Sequence, residues 1–432
     1  MLERPFRFLH AADLHIDGPA VGADDAPVEL VDRMIDCGRQ AAIRVFDAAL
    51  AQRVDFVVLA GDVVDSKYAT PRDWLFLVEQ FQRMAERNIV VYWCGGSVDR
   101  QRLFSANVPW PAFVEWPANV RFFSAGQIGR YRHEIGGQFV CEIVGRGGDP
   151  SGPPKPYEYT PSDERVFSIA VADADWNCAA LAEMEIDYWA LGGLHQRATP
   201  LDAGCLAHYA GTPQGRSATE PGPHGCTLVT VDELRQVGLT PINCDVMRWQ
   251  SPRLSWEFKS FSQPDHAELV RMLAARTEQL IAEAPGVALM LSWKIAADGA
   301  LATALRNTSL AAELRDGLRM QFSGRTPPCW ALSVEADRPP QIPVAWIEEE
   351  AIRGDFLRAI EGYLSPEQMD RWRRERWVVD GLPTVDDLAD EVFPDALATG
   401  TGEINRARAL REVLAEAAWL GSELLSPEED VR

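Results

Sequence analysis

A chain of 432 residues with 47% hydrophobic content is long enough for two or three domains with cores of their own, which excludes disorder as the default state. The net charge of −22, from 64 carboxylates against 42 Lys and Arg, repels polyanions and excludes loose, non-specific nucleic-acid binding, so any such contact must be local. Half of the excess lies in residues 341–432, where 21 Asp and Glu face 10 Arg for a net of −11.

The opening Met1 to Pro5 leads straight into the apolar run Phe6 to His10. Residues 1–250 then alternate β-branched or aromatic runs with helical patterns, as layered sheets with covering helices require. The further strand-like runs are Val54 to Ala60, Ile89 to Cys94, Gln138 to Val144, Phe167 to Ala172, Tyr188 to Leu191 and Cys226 to Val231. Met34, Ile35, Ala42, Val45, Phe46, Ala49 and Leu50 recur at helical spacing and predict a crossover helix over 32–52. Pro71 suits a first turn, so a second helix is predicted over 71–86.

Beyond residue 250 the pattern restarts with a helix near 264–284, a strand over 287–295, a helix near 310–318 and a strand over 330–334. Pro339, Pro340 and Pro343 mark a linker, and segments near 347–364, 366–377 and 403–425 are helical by composition. The expected domains are thus 1–250, a small α/β domain at 251–338, and a helical region at 339–432.

Eight cysteines lie scattered without a C-x-x-C pair, which reads as reduced, mostly buried thiols. No apolar run approaches the roughly 18 residues of a membrane span, so a cytoplasmic protein with no membrane association is expected.

The residues with chemistry stand just past strand ends, where open α/β sheets bind ligands. Asp13-Leu14-His15 follows the first strand, and a turn there can aim both side chains at one point. Asp62 follows Val57 to Gly61, where glycine permits close backbone approach. His195 follows the strand from Tyr188. Each alone is more often an ordinary loop, cap or core residue; together they form a mixed oxygen and nitrogen set suited to manganese or iron.

The strings Phe8 to His15, Ala60 to Asp65 and Asp187 to His195 resemble the calcineurin-like metallophosphoesterases. Tyr209 to Arg216, followed by Gly225 to Val229, resembles the SbcD and YhaO type of DNA-repair nuclease subunit within them. The resemblance covers residues 5–250 and extends beyond by layout only. It implies a four-layer β-sandwich flanked by helices, of α/β (α+β) class, with a small α/β cap domain and a helical C-terminal tail.

In that family one metal is held by the DxH pair, a bridging Asp and the last histidine of a GHxH box, which carry over to Asp13, His15, Asp62 and His195. The second metal uses the bridging Asp, the Asn of a GNHD box, a histidine ending a later strand and the first histidine of GHxH. Those places hold Asp62, Ser97, Asp173 and Gly193 here. Asp173 can still ligate, Ser97 is a poor ligand, Gly193 has no side chain, and Val98 replaces the histidine that stabilises the reacting phosphate.

The resemblance therefore implies one divalent ion per chain, Mn²⁺ or Fe²⁺, and weak or absent nuclease activity. It further implies a mainly structural role beside an SMC-like AAA ATPase of the YhaN or SbcC type, with DNA and a second copy of the chain as other candidate partners. The alternatives are an active phosphodiesterase or exonuclease with an altered or single-metal centre and, more distantly, a small-molecule phosphatase.

Two further segments keep two readings each. Arg371 to Trp377 either grips nucleic acid or an acidic partner, or packs its tryptophans in an amphipathic helix. The stripe Ile404, Ala407, Leu410, Val413, Leu414, Ala417 and Leu420 either docks a partner helix or packs within the chain.

Overall fold

The computed structural model describes residues 4–99, 114–148, 155–255, 266–297 and 309–337, apart from 164, 177 and 203–204, together with 301, 304–306, 342, 344–363, 414, 417, 418 and 421. The chain divides into two compact units. One comprises Met1–Ser251, Arg276–Leu291 and Arg319–Leu332; the other comprises Pro252–Ala275, Ser292–Leu318 and Ser333–Arg432.

The first unit contains two six-stranded sheets. The first sheet is built from β1 (Phe6–Ala11), β2 (Phe56–Ala60), β3 (Val90–Cys94), β4 (Val120–Phe122), β11 (Gly225–Val231) and β12 (Val237–Asn243), in the order β12-β11-β1-β2-β3-β4. The second contains β5 (Gly129–Ile135), β6 (Gln138–Gly145), β7 (Phe167–Asp173), β8 (Tyr188–Gly192), β9 (Leu201–Asp202) and β10 (Cys205–Tyr209), in the order β5-β6-β7-β8-β10-β9. Strands β1 to β4 run parallel, as do β6, β7, β8 and β10. Parallel strands covered on both faces need continuous apolar runs, which is why these strands are readable in the sequence.

The alternation of side chains assigns each face. Phe6 and Phe8 of β1 point between the sheets, where they join Phe56, Val58, Phe167, Ile169, Val171 and Tyr188 in one core. Leu9 and Ala11 point the other way, against Val45, Phe46 and Ala49 of α1 (Val28–Gln52) and Leu77, Phe81 and Met84 of α2 (Pro71–Ala85). The outer face of the second sheet carries Ala170, Ala172, Trp189 and Leu191, covered by Tyr159 and by Leu181 of α3 (Cys178–Ala182). Helix, sheet, sheet and helix give the four layers that the resemblance implied.

Helix α1 begins four residues before the predicted start, because Pro27 at its N-cap is already extended and the chain can enter the helix at once. Strands β4, β5, β9, β10 and β12 had no sequence counterpart. They are short, or, like β5 and β12, alternate with exposed polar residues.

Past β12, the strand β13 (Met247–Gln250) pairs with the first half of β14 (Ala288–Ile295), with Met247 opposite Ala288. Trp249, Met290 and Trp330 there join Leu30, Met34 and Cys37 of α1 in a further core. In the other unit, the helix Ile352–Tyr363 buries Leu357 and Ile360 against Trp346, Leu414, Ala417 and Ala418. The described part of the C-terminal stripe thus packs within the chain. Arg371 to Trp377 lies outside the described residues. Among the described residues, no helix is long and apolar enough to cross a membrane.

Candidate metal centre

Strands β1 and β2 in one sheet, and β7 and β8 in the other, end at a common edge. The loops leaving β1 and β2 are joined by their backbones: Asp13 N donates to Gly61 O at 3.1 Å, and His15 N to Asp62 O at 3.0 Å. Holding both loops this tightly forces Asp13, His15 and Asp62 to φ of 51°, 40° and 46°, in the left-handed region that side chains avoid. Strain at three neighbouring non-glycine residues persists only where the surrounding fold imposes it, and such strain clusters at functional sites.

These loops bring Asp13, His15 and His195 together, with their ligand atoms all within 4.8 Å of one another. Asp13 also belongs to a second such group, with Asp62 and Asp173. In both groups Asp13 is the shared residue, whereas the resemblance gives the bridging place to Asp62.

Burial, then the neighbouring Asp173 and Asp62 carboxylates, raise the Asp13 carboxyl well above its ordinary range. Gly193 N offsets part of this by donating to both Asp13 oxygens at 3.1 Å. Crowded buried carboxylates of this kind are relieved by a cation. His15 is buried, and its Nε2 has no hydrogen-bond partner. Burial, then Arg216 and His195, hold its pKa well below the usual value, so the ring is neutral and carries a lone pair.

His195 Nδ1 stands 2.5 Å from Glu220 Oε1, and Glu220 Oε2 accepts Arg216 N at 2.6 Å. Burial alone would raise the Glu220 carboxyl; the contacts with His195 and Arg216 outweigh it and hold it at about 2. An imidazole whose Nδ1 faces a carboxylate presents Nε2 as its free ligand atom. One nitrogen and oxygen group and one all-oxygen group thus fit divalent cations: the first suits manganese, iron or zinc, the second magnesium or manganese.

The positions that depart from the family pattern are equally definite. Ser97 Oγ donates to Asp62 Oδ2 at 2.8 Å, and Val98 N donates to Asp62 Oδ1 at 2.8 Å, so the 97–98 turn grips the carboxylate of Asp62. Asp173 lies against glycines: a β-carbon on Gly193 would stand 2.6 Å from its Oδ1, and one on Gly96 2.3 Å from its Oδ2.

Three other residues could in principle replace the missing ligands, and none joins either group. Asp99 is committed to Gly96 N, Val63 N and Trp93 Nε1. His208 places its ring nitrogens 2.8 Å from the hydroxyls of Thr199 and Thr227, and Asp175 is exposed. Sequence reading missed Glu220, which lies 25 residues beyond His195 with no periodic link to it.

A model of the calcineurin-like phosphoesterase family matches residues 6–169. The chain is 30% identical over 238 residues to the uncharacterized metallophosphoesterase YhaO of Bacillus subtilis, covering 52% of this chain and 57% of that protein. The chain therefore spans little more than half the length of that curated relative. Among solved structures, a dimetal phosphatase from Danio rerio aligns with a TM-score of 0.32 and 11% identity, over 53% of this chain and 93% of the other. The family match runs from β1 into β7, so residues 6–169, which supply Asp13, His15 and Asp62 at their strand ends, are similar to a calcineurin-like phosphoesterase domain.

Proposed function

We propose that this chain is a DNA-repair nuclease subunit of the SbcD and YhaO kind that keeps a cation-binding phosphoesterase scaffold but hydrolyses phosphodiesters weakly or not at all. Its main role is then structural, beside an SMC-like ATPase and DNA. The observation that carries the weak-activity reading is the grip of Ser97 and Val98 on Asp62. The hydroxyl and amide that line the site from this turn are spent on a carboxylate, and the side chain at 98 offers a reacting phosphate only methyl groups.

Asp13, His15 and His195 would hold the cation, which when bound supplies an acidified water and a Lewis acid for the phosphoryl oxygen. Gly193 N fixes both oxygens of Asp13. Glu220 fixes the ring of His195. No described side chain takes up the charge that develops on the phosphate from the position of Val98. Losing one such donor costs on the order of a hundred- to a thousandfold in rate.

The group Asp13, Asp62 and Asp173 favours a second reading, an active phosphodiesterase with an altered two-cation centre. The two are separated by assaying the purified chain with Mn²⁺ on single-stranded DNA and on bis(p-nitrophenyl) phosphate, beside the double variant Ser97→Asn/Val98→His. The first reading expects the double variant to exceed the parent about a hundredfold. Robust hydrolysis by the parent, abolished by Asp62→Ala or His15→Ala, would establish the second.

A further inference from the structure

We propose that Glu220 is a positioning residue for the cation site of Asp13, His15 and His195, and that it acts through the ring of His195. The inference rests on the reading that these three residues hold a divalent cation.

His195 lies beyond the end of β8, in a loop, with its side chain 23% exposed. Nothing in a strand or helix fixes such a ring. Its backbone is fixed from the 211–212 turn: Thr212 N donates to His195 O at 2.9 Å. The same threonine donates its hydroxyl to Asp13 O at 2.8 Å, so one residue sets the main chain of two of the three ligands. The ring packs edge-on against that of His15, with centroids 5.2 Å apart, and its Nδ1 is held by Glu220, whose Oε1 stands 2.5 Å away.

Glu220 is itself held on every side. Its side chain is 7% exposed, and its second oxygen accepts Arg216 N at 2.6 Å. Its own N donates to Ser217 O at 3.0 Å. His224 spans the base of the loop, with ring nitrogens 3.1 Å from the carbonyl oxygens of Thr212 and Glu220. The chain thus buries a carboxylate and fixes both its oxygens, one of them on a ligand histidine. A carboxylate at Nδ1 selects the tautomer with Nε2 unprotonated, stops ring rotation and increases the basicity of Nε2. It does this without entering either ligand group.

The test is Co²⁺ and Mn²⁺ titration of the metal-free full chain, read by calorimetry and by the visible spectrum of bound Co²⁺, for the parent and for Glu220→Ala, Glu220→Gln, Glu220→Asp and His15→Ala. Loss of the carboxylate in Glu220→Ala should weaken Co²⁺ affinity about 10- to 100-fold and shift the spectrum, with Glu220→Asp recovering part of both. Should Glu220→Ala fail to fold, the nearly isosteric Glu220→Gln carries the test, with about a tenfold loss expected at unchanged melting temperature. A folded Glu220→Gln that binds Co²⁺ with parental affinity and spectrum overturns the proposal. If the parent binds no Co²⁺, or His15→Ala binds it as tightly as the parent, the underlying cation site is wrong instead.

Discussion

The carboxylate of Asp173 occupies the space that a side chain at position 193 would need: a β-carbon on Gly193 would lie 2.6 Å from Asp173 Oδ1. The resembled family has histidine at both places, so the glycine here is what admits the aspartate in its present position. Gly193 also sits at φ 87°, where any side chain is strained. Replacing Gly193 alone with histidine therefore does not restore a ligand.

The first prediction follows from that contact. Gly193→Ala should cost about 1–3 kcal/mol in urea denaturation, from the strained φ and the collision together. Adding Asp173→Ala should return the collision part, leaving a coupling of about 1 kcal/mol in the double-mutant cycle. Additivity within about 0.5 kcal/mol would mean that the two positions do not share this space.

A second prediction concerns pH and lies away from the metal centre. His133 is 4% exposed, with Nδ1 2.9 Å from the Tyr92 hydroxyl, and burial lowers its pKa to about 4 from an ordinary 6.5. A histidine lowered on folding favours the neutral form in the native state. Its contribution is complete above about pH 6.5 and is lost as pH falls toward 4. Stability measured by denaturation should decline through that window by about 3 kcal/mol from this residue, and His133→Gln should flatten the decline. An unchanged slope in the variant would assign the decline to other groups.

Asp73 provides a third prediction. Its Oδ2 accepts Thr70 N at 2.8 Å and Thr70 Oγ1 at 2.7 Å, closing the first turn of α2, while its Oδ1 accepts Arg39 Nη2 from α1 at 2.6 Å. One buried carboxylate thus caps one helix and ties it to another. Asp73→Ala should cost about 2 kcal/mol, and Asp73→Asn less. Equal losses for the two variants would argue that the carboxylate charge and the link to Arg39 matter little.

What could be read in the sequence follows from how strongly each element is buried. Strands β1, β2, β3, β7 and β8 are covered on both faces, so their apolar runs are continuous, and the ligands Asp13, Asp62 and His195 stand just past their ends. Strands β5 and β12 expose every second residue or so and leave no comparable run. The capping box at Thr70 was legible in principle, as a threonine and an acid three residues apart around Pro71. The grip of Ser97 and Val98 on Asp62, the cradle of glycines around Asp173 and the Glu220 clamp on His195 were not legible. Each joins residues twenty or more positions apart through a single side chain, which no periodicity records.

The last prediction concerns cation number. Both groups share Asp13 and its contact with Gly193 N, but Asp62 has both oxygens engaged by the 97–98 turn, so the all-oxygen group alone competes with these further hydrogen bonds that the fold already makes. In the group with two histidines, His15 Nε2 has no partner to give up. Displacing a charge-assisted hydrogen bond costs about 1.5–3 kcal/mol, so the two groups should differ in affinity by at least tenfold. After Mn²⁺ loading and gel filtration, elemental analysis should find one ion per chain, lost in His15→Ala and His195→Ala but kept in Asp173→Asn. Two retained ions, with one lost in Asp173→Asn, would show that Asp173 completes a second centre and would favour the active-phosphodiesterase reading.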